Sequence, residues 1–162
     1  MGFRVSNLHF RPPPHLDMGT GGAWSRLEKP DGAGDLFTAT ADVKNYFHTI
    51  QNHPDLQPYF CLPPISVAEA RNFMEGVEDL NVSDYVWPML RSVPMGWNWA
   101  LFFCQAAVRE CMRKAGAQDT DEISDRGANQ VIRPGQVKHA VYVDNVLIEG
   151  HDRQEVTQLR QA

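Results

Sequence analysis

Cysteine is scarce in this chain. Cys61, Cys104 and Cys111 are the only three in 162 residues, an odd number with no CxxC pair. That excludes a disulfide framework and a zinc ribbon, and it fits a reducing, intracellular compartment, cytoplasm or nucleus. Positive charge is also in deficit: 15 Lys and Arg stand against 20 Asp and Glu, for a formal net charge of −5. A surface that grips nucleic acid by bulk charge is therefore disfavoured, although a small basic groove is not. Long apolar runs are missing. The longest, Trp99 to Cys104, ends at Gln105, far short of the ~18 residues of a membrane span. No basic-then-apolar signal segment opens the chain, and there is no internal repeat or low-complexity tract. Met1-Gly2-Phe3-Arg4-Val5-Ser6 fits the short myristoylation pattern, which is too permissive to weigh against the rest. The cluster Gly19-Thr20-Gly21-Gly22 matches neither GxxxxGK[ST] nor GxGxxG, so it reads as a flexible loop and not as a phosphate cradle.

What is present is ordinary globular material, 43% apolar and 22% charged, enough for one domain or a piece of a larger one. Residues 1–35 are rich in Pro and Gly and read as an extended N-terminal segment with one helical turn near Trp24. Leu36–Asp42 is β-prone and predicts a strand; Val43–Ile50 predicts a short helical turn ending before His53-Pro54. Pro58–Leu62 reads as a second strand. Ser66-Val67-Ala68-Glu69 is a capping box that opens a helix to about Leu80, with Val67, Ala70, Phe73, Met74 and Val77 on one face. Tyr85–Val93 reads as a third strand, and Pro94-Met95-Gly96 as a turn. A strong amphipathic helix follows from about Trp97 to Ala115, closed by Gly116. Residues 117–136 are polar and acidic and read as a solvated loop. His139–Val143 and Val146–Ile148 form a hairpin around an Asp144-Asn145 corner, two residues that tolerate a left-handed backbone. Asp152-Arg153-Gln154-Glu155 opens a helix that Ala162 cuts off, as in a truncated chain. The fold class is α+β: a small antiparallel sheet backed by the helices at about 66–80 and 97–115.

Two aspartates occupy special places, Asp42 at the end of an apolar strand and Asp144 at a hairpin corner. A carboxylate beside buried strand ends is costly unless it is paired or binds a cation. Two brought together suit Mg²⁺, which prefers few carboxylates plus water and phosphate oxygens, and can serve two-metal phosphoryl transfer. The plainer alternative makes Asp144 a turn residue and Asp42 a helix cap. Other clusters carry less. Cys104 and Cys111 share a helix face but read as core. His48 and His53 lack a third ligand. Trp97, Trp99, Phe102 and Phe103 at helical spacing read as core, and Arg109, Arg113 and Lys114 as partners of a helix dipole. Glu75, Glu78, Asp79 and Asp84 read as a solvated face.

Three runs resemble the motifs of reverse transcriptases, in the family's order. Thr40-Ala41-Asp42-Val43-Lys44-Asn45-Tyr46-Phe47 is similar to the first catalytic motif, an Asp followed five residues later by an aromatic. Leu90-Arg91-Ser92-Val93-Pro94-Met95-Gly96-Trp97, with Phe103 and Gln105, is similar to the "LPQGW…FQ" segment. Tyr142-Val143-Asp144-Asn145 resembles the "YxDD" hairpin. The resemblance covers roughly residues 36–150, and its wording is nearest to retrotransposon polymerases of protists. It implies a polymerase palm over 36–150, partial fingers in 1–35, and the truncated start of a following helix in 151–162. A thumb, absent from this chain, and a ribonuclease-like region are then expected downstream in the full element.

Residue by residue, the resemblance makes Asp42 and Asp144 the catalytic, metal-binding carboxylates, with the Val43 carbonyl as an auxiliary ligand. Mg²⁺ is the implied cofactor, with Mn²⁺ as a substitute. Phe47 becomes the aromatic gate that leaves no room for a ribose 2′-OH. Met95 and Gly96 line the nucleotide pocket, and Tyr142 and Asn145 lie toward the primer and template. The implied partners are an RNA or DNA template with its primer, and deoxynucleoside triphosphates. The chain departs from the pattern in three places. Met95 stands where Gln is usual, Asn145 replaces the second Asp of the hairpin, and Trp99-Ala100 replaces a small, polar pair. The expected function is an RNA-directed DNA polymerase core; the alternative is a degenerate retroelement remnant that keeps the fold as a weak nucleic-acid-binding module.

Overall fold

The computed structural model describes residues 3–162, so the myristoylation pattern, which turns on Gly2, lies outside the described residues. In chain order the elements are α1 (Arg4–Asn7), α2 (Gly21–Trp24), β1 (Phe37–Asp42), α3 (Tyr46–Thr49), a 3₁₀ turn (Pro54–Phe60), β2 (Ile65–Ser66), α4 (Val67–Ala70), β3 (Tyr85–Val86), α5 (Ala100–Lys114), a second 3₁₀ turn (Asp119–Asp121), β4 (Val137–Tyr142), β5 (Asn145–Gly150) and α6 (Arg153–Gln161). The architecture is mixed α and β with small antiparallel sheets. No helix among the described residues is long and apolar enough to cross a membrane. Packing divides the chain into two compact units, one of residues up to 11 plus 47–97, the other of 12–46 plus 98–162.

The second unit carries an antiparallel sheet in the order β1-β5-β4. One face of β1, with Thr38, Thr40 and Asp42, stays exposed while the alternate residues turn inward, as period-two alternation requires. Helix α5 packs on the sheet through Cys104, Gln105, Val108 and Met112, all buried. A second helix on the sheet is α6, against β1 and β5, whereas the segment at 66–80, expected to back the sheet, belongs to the first unit. Asp152 caps α6 by accepting from the Gln154 and Glu155 N–H groups at 2.6 and 3.3 Å. Gly150 lets it approach: a Cβ there would lie 2.9 Å from Val156 Cγ2, and Val156 is buried. The acidic stretch 117–136 is less solvated than its composition suggests. Ile123 and Ile132 are buried in it, and the Ile123 N–H donates to the His139 carbonyl beside β4. Apolar anchors within a polar run override its mean composition.

In the first unit, Phe60 is fully buried among the rings of Phe3, Phe10 and Trp97, with centroids 5.2–6.0 Å away. Three expected elements are shorter here or of another kind. Pro58–Leu62 is not a strand: residues 54–60 form a 3₁₀ turn capped by the His53 ring. Pro58 has a φ suited to such a turn and no N–H for a ladder; only Cys61 bridges to an extended neighbour, Met89. The helix opened at Ser66 forms its cap, Glu69 N–H to Ser66 Oγ at 3.2 Å, but stops at Ala70. The Arg71 guanidinium donates to the Glu78 and Leu80 carbonyls at 2.8 and 2.7 Å and holds the chain in a fold-back instead of further helical turns. Phe73 is left 66% exposed. The strand expected over Tyr85–Val93 is regular only at Tyr85–Val86, paired with Ile65–Ser66. Pro88 has no N–H to continue a ladder, and beyond it the chain makes single bridges at Met89 and Ser92.

Candidate functional site

The register of the three-stranded sheet decides what meets at its end. Asp42 pairs with Asn145, and Asn145 with Tyr142. Directly opposite residues in antiparallel strands project to the same face, with Cβ atoms ~5 Å apart. Asp42, Asn145 and Tyr142 therefore form one row, and all three are exposed. The hairpin corner is Val143-Asp144, one residue earlier than the Asp144-Asn145 corner read from the sequence, because Asn145 is taken into β5. The backbone N–H of Val43 donates to the Asp144 carbonyl at 3.0 Å, which ties the end of β1 to the corner. The Asn145 Nδ2 donates to Asp144 Oδ1 at 2.9 Å. Asp42 and Asp144, far apart in sequence, thus stand at the same end of the sheet, with Asn145 paired opposite Asp42 and bonded to Asp144.

The corner is held in an unusual conformation. Val143 has φ +58, a left-handed backbone that a β-branched residue adopts rarely and at a cost of about 1–3 kcal/mol. Its side chain is buried. The Val143 N–H donates to Gln105 Oε1 at 2.7 Å, and Gln105 Nε2 donates to the Val141 carbonyl at 2.8 Å. On the other strand, Asn45 has φ +55 in the turn after Asp42, and the buried Tyr46 donates its hydroxyl to the Cys104 carbonyl at 2.7 Å. Burial, with the Asp144 charge adding to it, pushes the Cys104 thiol up to about 11. Burial also pushes the Tyr46 phenol up to about 12, with Cys104, Cys111 and Asp144 contributing in the same direction. Both shifts favour the neutral, protonated side chains near neutrality. Cys104 is buried and Cys111 exposed, so the shared face expected for them belongs to core packing only at Cys104.

Among the described residues no group of three or more His, Cys, Asp and Glu side chains is arranged to hold a metal ion. The corner offers two carboxylates, with one oxygen of Asp144 already accepting from Asn145. That donor set does not suit a protein-only cage. It fits Mg²⁺, which keeps several waters and binds through one or two carboxylates plus phosphate oxygens. On the same sheet face a cavity of about 440 Å³ opens between Trp24 and Thr20 on one side and Thr40, Leu147, Tyr142 and Asn145 on the other.

Phe47, Met95 and Gly96 belong to the other unit. Phe47 is half-buried in α3, and Met95 is 65% exposed. Gly96 has φ +96, where any L side chain is strained. A Cβ there would meet only the Phe3 ring at 3.8 Å, so its own unit demands glycine for the backbone conformation and not for space. The Gly96 carbonyl accepts from Asn7 Nδ2 at 2.9 Å.

Sequence reasoning placed Gln105 in the "LPQGW…FQ" segment and Tyr46 in the first motif but gave neither a role of its own. A signal for Gln105 exists: it is a lone amide on an otherwise apolar helix stripe that runs Ala100, Cys104, Val108, Met112. Buried amides are retained where they satisfy backbone groups that nothing else reaches. Nothing comparable marks Tyr46. A scan against protein-family models and a search of curated proteins return no match to this chain.

Proposed function

We propose that the chain is the core of an RNA-directed DNA polymerase of a retroelement, extending a primer on an RNA or DNA template with deoxynucleoside triphosphates. The observation that carries this reading is the corner at which strand register joins the aspartates of two separate sequence motifs, Asp42 opposite Asn145 and Val43 bonded to Asp144. In this reading the β1-β5-β4 sheet with α5 and α6 is the polymerase palm. Asp42 and Asp144, with the Val43 carbonyl, hold Mg²⁺ or Mn²⁺, and the ion when bound neutralises charge on the reacting phosphates. Tyr142 and Asn145, exposed on the same face, lie toward primer and template. The nucleotide-side roles of Phe47, Met95 and Gly96 rest on the sequence resemblance alone. The test is primer extension on an RNA template with Mg²⁺ or Mn²⁺. Asp42→Asn is expected to abolish extension, since each charged contact to a transition state of this kind is worth several kcal/mol; more than roughly a tenth of wild-type activity refutes the assignment.

A second reading, a remnant that keeps the fold without turnover, is favoured by Asn145. Its amide removes one negative charge from the corner and engages an oxygen of Asp144. It predicts no extension with either ion, and equally weak primer–template binding by wild type and Asp42→Asn.

A further inference from the structure

We infer that Gln105 is a positioning residue that fixes where Asp144 stands relative to Asp42, acting through the strained corner and not on the ion itself. This rests on the reading of the corner as a cation site. Two tethers leave α5 at adjacent residues. The Cys104 carbonyl accepts from Tyr46 and anchors the turn that follows Asp42. The Gln105 side chain takes the Val143 N–H and gives a hydrogen to the Val141 carbonyl, anchoring the turn that carries Asp144. Gln105 is 0% exposed and Tyr46 7% exposed, so water does not readily replace a lost bond. The Val143 N–H sits at the corner, outside the β4–β5 ladder, and Gln105 satisfies it. A β-branched residue in the left-handed region relaxes when its restraint is removed. Asp144 is the next residue and turns with it. Ligand geometry at a cation tolerates shifts of only a few tenths of an ångström, so loss of Gln105 weakens the ion site while the paired strands remain.

The experiment titrates Mn²⁺ alone into the full chain, reading the free ion by electron paramagnetic resonance, with thermal melting and hydrogen exchange at the Val143 amide in parallel. Gln105→Met keeps length and apolar bulk but makes neither bond. It is expected to weaken Mn²⁺ binding at least tenfold and to speed Val143 exchange at least a hundredfold, while circular dichroism stays native. Gln105→Glu keeps the acceptor for the Val143 N–H and, protonated in its buried position, supplies an O–H to the Val141 carbonyl. It is expected to hold Val143 protection within tenfold of wild type and Mn²⁺ affinity within about threefold. Gln105→Met binding Mn²⁺ like wild type, with wild type binding well, overturns the positioning role and leaves the cation site standing. Wild type failing to bind Mn²⁺ overturns the cation site itself, and the positioning role with it. If Gln105→Met does not fold, Val143 protection in Gln105→Glu decides the matter, and its loss overturns the role.

Discussion

Asn145→Asp adds a second carboxylate to the hairpin, and its consequences can be worked from the corner geometry. At present the Asn145 amide lies 2.9 Å from Asp144 Oδ1 and donates to it. The substitution removes that hydrogen bond, about 1 kcal/mol net, and puts a like charge in its place. Two unit charges at 2.9 Å repel by about 1.4 kcal/mol in bulk water and about 6 kcal/mol at an effective dielectric of 20. Asn145 is exposed, so the aqueous end applies, and a side chain that swings out to ~5 Å still leaves ~0.8 kcal/mol. The ion-free variant should therefore be about 2 kcal/mol less stable, a drop in Tm of roughly 4–8 °C for a chain of this size. A divalent ion at the corner reverses the sign of the perturbation, because it is attracted to both carboxylates. Mn²⁺ affinity should rise about tenfold, equivalent to ~1.4 kcal/mol, and saturating ion should restore most of the lost Tm. Thermal melting with and without ion, together with a Mn²⁺ titration, measures both. Equal Mn²⁺ affinity in wild type and variant, or a Tm deficit that the ion does not repair, places position 145 outside the reach of any bound cation and refutes the reasoning.

Phe47→Val is expected to lower the preference for deoxy- over ribonucleotides at least tenfold in primer extension, at a stability cost of ~1–3 kcal/mol; an unchanged preference with the same loss of Tm makes Phe47 a packing residue only. His139 is buried in β4, and burial holds its imidazole below 6.5, with Arg109 and Lys138 adding to that while Asp121 and Asp119 oppose it. The fold thus favours the neutral ring: its contribution is fully present above pH 6.5 and is lost as pH falls below that value toward the lowered folded pKa. His139→Leu should flatten the fall in Tm between neutral and mildly acidic pH, and identical slopes would refute the assignment.

The elements that carry Asp42 and Asp144 were legible from residues alone because the cues were local, whereas pairing the two aspartates in one site came from the resemblance. A strand ending in Asp42, a hairpin carrying Asp144, and a capped helix each follow from short-range patterning, and the ladder then joins them. The capping box at Ser66 was equally legible, yet it opened only four helical residues. A cap determines where a helix starts, and its length depends on what the later turns pack against. The Arg71 contacts to Glu78 and Leu80 won there. Pro58 and Pro88 cut expected strands short because ladders need N–H donors. The one-residue shift of the hairpin corner is instructive in another way. Asn145 has the better intrinsic tolerance for a left-handed backbone, but it is Val143 that adopts one, with its N–H bound by the buried Gln105 on α5. Sequence alone determined that Asp42 closes a strand, that Asp144 sits in a hairpin corner and that an amphipathic helix follows residue 97. Only tertiary structure decided the register that sets Asn145 opposite Asp42 and the buried hydrogen bonds from Tyr46 and Gln105 that hold the two turns, since those depend on donors and acceptors far apart along the chain.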